Sequence, residues 1–242
     1  MQVEICANSV ESAINAEKAG ANRIELCSEL ALGGITPSYG VIKRTVEALS
    51  IPVHVLIRPR SGDFVYSDEE FEVIKEDIRF CKEIGCAGIV SGVLDKQFQI
   101  DITRTSELIA LSRPLKFTFH RAFDLVKDPF QEIKKLSEIG VDLVLTSGGK
   151  SKAINGIETL EKLKAENPNI SIMPGSGVGI NNINTFLKEG FENIHFSGTI
   201  AINKLDENPR ILFSDNSMLD DKKVWFSDIS KIQDVVLRIQ KS

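Results

Sequence analysis

Five short segments of the chain alternate between apolar and polar residues with a period of two. One phase of each segment carries Val, Ile, Leu or Phe, and the other carries mostly acidic, basic, thiol and imidazole side chains. The second phases contain Glu4 and Cys6; Arg23, Glu25 and Cys27; His54, Leu56 and Arg58; Lys116, Thr118 and His120; and Asn193, His195 and Ser197. This period predicts strands whose two faces lie in different surroundings. We expect one face to pack on helices and the other to gather the polar side chains into a functional site.

A glycine pattern indicates how these strands are connected. Four times a helical stretch ends in a charged residue followed by glycine, and a strand begins within a few residues. These glycines are Gly20, Gly85, Gly140 and Gly190. Glycine just past a helix adopts the left-handed conformation that ends it. Three further strands follow Pro52, Pro114 and Pro168. The predicted strands are Val3–Cys6, Arg23–Cys27, Val53–Arg58, Ala87–Ser91, Leu115–His120, Asp142–Thr146, Ile170–Met173 and Asn193–Ser197.

The segments between the strands carry helix signals. A helix is predicted over Ser67–Ile84, another follows Asp128 and Pro129, and another begins at Asn181 or Asn182. Residues 203–225 are polar and irregular, and Ile229–Ile239 is the predicted closing helix. Eight strands alternating with helices predict a single α/β domain over residues 1–242, a (β/α)8 TIM barrel. The alternative is a doubly wound open sheet, which no dinucleotide-binding fingerprint supports.

Composition limits the class of protein. The chain has 242 residues, a length that suits one barrel, and its net charge of −5 argues against nucleic acid or a polybasic membrane surface as partner. No apolar run approaches the roughly 20 residues of a membrane-spanning helix. The first strand starts almost at once, which leaves no room for a signal peptide. Four cysteines do not suggest a disulfide framework. We expect a cytoplasmic protein with reduced thiols.

The polar strand ends indicate acid–base chemistry, because the active site of such a barrel lies at the carboxyl ends of its strands. Glu4 and Glu25 should both face the lumen, where their repulsion raises at least one pKa unless Arg58, His54 or His120 compensates. The candidate catalytic residues are Glu4, Glu25, His120, Arg58 and Asp124. The alternative is a lattice of salt bridges that fills the lumen.

Glycine turns beside basic residues predict an anion site. Loops after the seventh and eighth strands of these barrels often bind phosphate through backbone N–H groups. The candidate anion-binding residues, beside Arg58, are Arg60, Ser147, Gly148, Lys150, Gly175, Gly177, Ser197 and Gly198. The glycines could equally serve tight turns.

Two cysteines, Cys6 and Cys27, end neighbouring inward faces. Thiolates favour Cu(I) or Zn(II), with His54 or His120 as a further ligand. Inward residues of adjacent barrel strands fall in alternate layers, so we expect the two sulfurs to be offset. A buried cysteine is also often only a small apolar residue. For Cys81 and Cys86, on either side of Gly85, packing is the favoured interpretation.

Several strand-end motifs resemble a known family. They are Glu4-Ile5-Cys6, Arg23 to Cys27, Gly33 to Ser38, Ile57 to Phe64, Phe119 to Asp124, Leu145 to Gly148 and Gly175 to Val178. Together they resemble the CutC family of copper homeostasis proteins over about residues 1–200, and the tail matches weakly apart from Phe226-Ser227-Asp228. The resemblance implies a TIM barrel, a cytoplasmic location, a homo-oligomer (dimer or tetramer) and copper handling. It assigns Cu(I) binding to Cys6 and Cys27.

Two hypotheses about function follow. The first is a copper homeostasis protein that binds Cu(I) at the mouth of the barrel. The second is a TIM-barrel enzyme of lyase, isomerase or hydrolase type that acts on a small anionic or sugar-like substrate through Glu, Arg and His of the lumen. A purely scaffolding role fits poorly with so polar a lumen.

Overall fold

Eight short parallel strands form the centre of the fold in the computed structural model, which describes residues 1–211 and 220–242. The strands are β1 (Gln2–Ala7), β2 (Arg23–Leu26), β3 (Val53–Leu56), β4 (Gly88–Ser91), β5 (Lys116–Phe119), β6 (Leu143–Thr146), β7 (Ser171–Pro174) and β8 (Asn193–Phe196). Their spatial order is β7-β6-β5-β4-β3-β2-β1-β8. Because β7 and β8 also contact each other, the sheet is a nearly closed barrel. The predicted (β/α)8 fold is confirmed.

A helix follows each of these strands along the chain. The helices are α1 (Val10–Lys18), α2 (Tyr39–Ala48), α3 (Asp68–Glu83), α4 (Ile102–Ser112), α5 (Pro129–Glu138), α6 (Ile157–Glu166), α7 (Ile183–Lys188) and α8 (Ile229–Gln240). Short 3-10 helices lie at Leu30–Leu32, Arg121–Leu125 and Ala153–Gly156. In the described part of the chain, no helix combines the length and the apolar character needed to span a bilayer.

The helices begin and end at the residues that the sequence signals. Ser67 caps α3 in a reciprocal capping box with Glu70. Asp128 accepts hydrogen bonds from the first backbone N–H groups of α5. The glycines predicted to end helices all have positive φ: +92° at Gly20, +85° at Gly85, +83° at Gly140 and +66° at Gly190. Local turn chemistry therefore sets where each helix stops.

The two phases of the strands separate as predicted. Val3, Ile5 and Ile24 belong to the large apolar core between the barrel and its helices. Glu4 and Glu25, from the opposite phase, are buried in the lumen. Small apolar clusters beside them fill the rest of the lumen.

The tail differs from its prediction. Residues 203–211 and 220–223 contain neither helix nor strand, and residues 212–219 lie outside the described residues. A two-stranded antiparallel sheet, β9 (Thr199–Ile202) and β10 (Val224–Ser227), flanks this segment. The irregular segment therefore ends before Val224 rather than at residue 225. The sheet depends on pairing across more than 20 residues of chain, which no local periodicity reveals.

Candidate functional site

A cavity of about 1,100 Å³ opens at the carboxyl ends of the barrel strands. Its floor consists of strand-end side chains, and its rim consists of the loops that follow the strands and the start of α8. The floor residues that carry chemistry are Cys6, Glu25, Arg58, His120 and His195. Polar side chains of separate strands thus meet at the floor of this cavity, as the strand pattern predicts.

Glu4 is fully buried below this floor and is held by two partners. Arg23 Nε donates to its Oε2 at 2.6 Å, and His195 Nδ1 lies 2.8 Å from its Oε1. Burial by itself would raise the pKa of Glu4, but the His195 hydrogen bond and the Arg23 charge outweigh it and lower the pKa to about 2. Glu4 is therefore ionised. Arg23 and His195, rather than the expected Arg58 or His120, provide its direct ion-pair contacts.

Glu25 has few partners by comparison. Its Oε1 accepts a hydrogen bond from the Cys6 thiol at 3.5 Å, and its buried Oε2 has no hydrogen-bond partner among the described residues. Burial, reinforced by the charge of Glu4, raises the pKa of Glu25. Of the two lumen carboxyls, Glu25 is therefore the one that takes up a proton more readily.

The two strand-end thiols are in contact. Cys6 Sγ lies 3.5 Å from Cys27 Sγ, so the expectation that the sulfurs are offset is wrong. Cys27 lies just past the end of β2, where the chain leaves the strand, and the layer rule for strand residues no longer fixes its side chain. The hydrogen bond with Cys27, together with burial, raises the pKa of Cys6 well above its usual value of 9.0. All four cysteines of the chain are free.

His195 joins the thiols to Glu4. One ligand atom each from Cys6, Glu25 and His195 lies within 4.8 Å of the others, the geometry of a possible metal site. Because Nδ1 of His195 contacts Glu4, Nε2 remains for a ligand. Burial would lower the pKa of His195, but the charge of Glu25 and the hydrogen bonds with Cys6 and Glu4 raise it well above 6.5. The sequence places His195 on a polar strand face but does not single it out as a ligand.

Arg58 and His120 form another part of the floor. The Arg58 guanidinium donates to the carbonyl oxygens of Leu32, Gly34 and Gly62 and forms no ion pair within the described ranges. His120 Nδ1 accepts from the backbone N–H of Ala122 at 3.3 Å, which assigns the ring proton to Nε2. That Nε2 is buried without a partner. Burial and the Arg58 charge lower the pKa of His120 to about 3, so its ring is neutral.

The glycine turn after β6 holds a carboxylate of the chain itself. Asp124 accepts hydrogen bonds from the Ser147 hydroxyl and from the backbone N–H groups of Ser147 and Gly149. Thr146 and Arg121 donate to the same carboxylate. Asp124 therefore occupies the predicted anion-binding turn. Gly148, in the same turn, packs closely against Gly156 of the following 3-10 helix.

The other predicted anion-binding residues separate into two groups. Arg60 binds Glu70 and Asp63 beside α3, and Lys150 is exposed, so the structure places both away from the cavity lining. Gly177, Ser197 and Gly198 lie on the rim, and Gly175 packs below it against Leu145 and His195. Two rim lysines, Lys152 and Lys231, were missed because their segments carry no strand-end motif.

The fold and site define a class of protein: a (β/α)8 barrel whose strand ends gather paired thiols, imidazole and carboxylates at one cavity. A profile of the CutC family matches residues 1–200. The chain belongs to the CutC family.

Individual relatives agree with this assignment. A CutC family protein of Salmonella agona is 44% identical over 200 residues, which cover 83% of this chain and 81% of the relative. One from Pasteurella multocida is 38% identical over 244 residues that cover both chains completely. The crystal structure of a CutC from Streptococcus agalactiae, described as a copper homeostasis protein, has a TM-score of 0.77 and 34% identity, covering 81% of this chain and 97% of that one.

Proposed function

We propose that the protein acts in copper homeostasis in the cytoplasm by binding Cu(I) at Cys6 and Cys27. The observation that carries this proposal is the 3.5 Å contact between Cys6 Sγ, at the cavity floor, and the fully buried Cys27 Sγ beside it. Soft thiolate ligands favour Cu(I), and a cytoplasmic location would keep both thiols reduced. The copper homeostasis description of the Streptococcus agalactiae relative supports the same assignment.

His195 is the third ligand in this proposal. Its Nδ1 contacts Glu4, which is in turn held by Arg23, so Nε2 is oriented as in the carboxylate–histidine–metal arrangement common in metal proteins. The carboxyl of Glu25 lies within 4.8 Å of the ligand atoms of Cys6 and His195, and Cys27 joins this group through its contact with Cys6. Binding must release protons from the thiols and from the His195 ring, because thiolates and neutral imidazole are the ligands and the pKa values of Cys6 and His195 are both raised.

Anaerobic competition with a chromophoric Cu(I) chelator tests this function. Cys6→Ser combined with Cys27→Ser should abolish stoichiometric Cu(I) binding. Cys81→Ser combined with Cys86→Ser, the matched control in the apolar core, should leave it intact. Glu4→Gln should weaken binding about 10- to 100-fold through loss of orientation of His195. Undiminished binding by the Cys6/Cys27 double variant would contradict the proposal.

A second candidate function is favoured by the unpartnered polar atoms of the floor. Glu25 Oε2 and His120 Nε2 are buried without hydrogen bonds, beside the Arg58 cation. A carboxyl of raised pKa and a neutral imidazole N–H suit acid–base chemistry on a small anionic or sugar-like substrate. Such an enzyme would be of lyase, isomerase or hydrolase type, and its turnover should be lost in Glu25→Gln but retained when Cys27 is changed to Ser.

We further propose a homo-oligomer, a dimer or tetramer, as the family resemblance implies. Light scattering of the purified chain measures its mass directly, and a mass of one chain would contradict this.

A further inference from the structure

Two lysines on the rim of the cavity have ammonium groups that form no ion pair with the residues that the structure describes. The ammonium group of Lys152, in the loop between β6 and α6, makes no hydrogen bond or ion pair with any described residue. Lys231 Nζ, in the first turn of α8, donates to the carbonyl oxygen of Thr199 at 2.9 Å, while the backbone N–H of Lys231 donates to the capping carboxylate of Asp228. The rim therefore carries positive charge on two sides. Neither ammonium group is in contact with a carboxylate of the described residues.

Backbone donors lie beside Lys152. The N–H groups of Gly177 and Val178, in the loop after β7, find no acceptor in the described part of the chain. Gly177 has φ +69°, and a Cβ there would lie 3.1–3.4 Å from the Lys152 side chain. The absence of a side chain at Gly177 lets the Lys152 stem lie directly on this loop. The Lys152 side chain and the free N–H groups of Gly177 and Val178 therefore lie in one region of the rim.

Hydroxyl donors come from the loop after β8. Ser197 Oγ and Thr199 Oγ1 lie 3.4 Å apart, and both residues line the cavity. The donors of three consecutive loops thus surround the same opening.

Two carboxylates also line the rim and decide which anion fits. Asp124 is saturated by the donors of its own turn and by Arg121. Asp234 lies one helical turn after Lys231 and adds a negative charge that opposes an anion. Because Arg121 is engaged with Asp124, the rim offers no free guanidinium fork for a planar carboxylate. Lysines with backbone N–H groups instead suit the three oxygens and higher charge of a phosphate.

We propose that the cavity binds a small phosphomonoester, with its phosphate held at the rim by Lys152, Lys231 and the Gly177–Val178 amides. The remainder of the ligand reaches the floor, where Glu25 Oε2, His120 Nε2 and Arg58 Nε are buried polar atoms with no hydrogen-bond partner in the described ranges. A hydroxylated or carbonyl-bearing carbon chain satisfies such atoms, since unpaired buried polar groups cost free energy. This choice of ligand rests on the second candidate function, that of an acid–base enzyme. It does not depend on copper binding.

Calorimetric titration with inorganic phosphate tests the rim. The wild-type chain should bind phosphate, and Lys152→Gln and Lys231→Gln should each weaken binding about tenfold. Lys134→Gln, on the exposed side of α5, is the matched control and should change binding less than twofold. Asp234→Asn should tighten binding several-fold by removing a repulsive charge. Equal phosphate affinities in the wild type and these four variants would overturn the proposal. So would a loss of affinity in Lys150→Gln but not in Lys152→Gln.

Glycerol 3-phosphate extends the test to the floor. It should bind more tightly than inorganic phosphate, and Glu25→Gln or His120→Gln should remove that advantage while leaving phosphate affinity unchanged. No advantage over phosphate in the wild type would overturn the phosphomonoester assignment. The Cys6/Cys27 double variant should retain phosphate binding while losing Cu(I), so failure of the copper function is visible separately. Phosphate binding without turnover of any phosphomonoester would remove the enzyme function and retain this site.

Discussion

Glu4 and Glu25 lie on neighbouring strands and face one lumen, yet their surroundings assign them different states. Glu4 has two cationic partners and a pKa of about 2. Glu25 has one thiol partner, an unpaired oxygen and a raised pKa. Glu4 therefore supports the structure of the lumen and orients His195, while Glu25 is free to act on a ligand or a metal ion.

At the residue scale, exchanging each carboxylate for its amide should separate these roles. Glu4→Gln should destabilise the fold by about 3–5 kcal/mol, because the partly buried Arg23 and the buried His195 lose the carboxylate that pairs with both. Glu25→Gln should be neutral or stabilising at pH 7, because it removes a charge whose burial is unfavourable. Urea unfolding of both variants measures the difference. Strong destabilisation by Glu25→Gln would show that it is a structural member of the lumen.

The same pair predicts a pH dependence. Folding lowers the pKa of Glu4 from its ordinary 4.5 to about 2. Its contribution is therefore fully present above pH 4.5 and is lost as the pH falls toward 2, an effect of about 3 kcal/mol. Unfolding free energies measured between pH 5 and pH 2 should fall less steeply in Glu4→Gln than in the wild type. Parallel curves would contradict the low pKa.

At the scale of single elements, the two ends of β4 have glycines where histidine rings of neighbouring segments pack. A Cβ at Gly88 would lie 2.5–2.6 Å from atoms of the His54 ring, and one at Gly92 would lie 2.7 Å from the His120 ring. The His54 ring therefore packs against the glycine that begins β4, and the His120 ring packs against the glycine that follows β4. Burial lowers the pKa of His54 to about 4, which keeps its ring neutral in this position.

Gly88→Ala should consequently destabilise the protein by about 1–3 kcal/mol, since the His54 ring must leave its place in a packed lumen. Gly40→Ala is the control: it lies in α2 with nothing within 4 Å of its added Cβ, and should stabilise by about 0.5–1 kcal/mol. Chemical denaturation gives both values. A neutral Gly88→Ala would mean that the His54 ring has a second position of equal energy.

At the scale of the whole molecule, α8 completes the barrel wall. After β8 the chain leaves the barrel through β9 and β10 and returns as α8, which packs on α1 and α7. Ile232, Val235 and Val236 are its buried face, and Val236 contacts the glycine that ends α1. The same helix supplies Lys231 and Asp234 to the rim, so closure of the wall and construction of the cavity are coupled.

Ile232→Ala should therefore cost about 2–5 kcal/mol, the range for removing a large buried aliphatic side chain. Leu237→Ala on the same helix is the control, because Leu237 is 45% exposed and should change stability by less than about 0.5 kcal/mol. Thermal unfolding compares the two variants. Similar melting temperatures would indicate that α8 is not integral to the barrel.

The sequence by itself determined what depends on neighbouring residues. Period-two alternation marks strands of four to six residues, and glycines of positive φ end the helices between them. Together with three strands that follow prolines, these signals predict eight strands alternating with helices, and the resulting barrel brings the polar strand ends together. The prediction that Glu25, His120 and the Cys6 thiol meet at the carboxyl ends of the strands followed from that reasoning alone.

Only the tertiary structure decided which of these side chains touch. The partners of Glu4 lie 19 and 191 residues away, and the path of the chain past β2 brings Cys27 against Cys6. Asp124 fills the turn that the sequence offers to an external anion, and Lys152 and Lys231 replace Lys150 and Arg60 at the cavity. Strand register and loop path result from packing of the complete barrel, so no segment carries them in its own pattern.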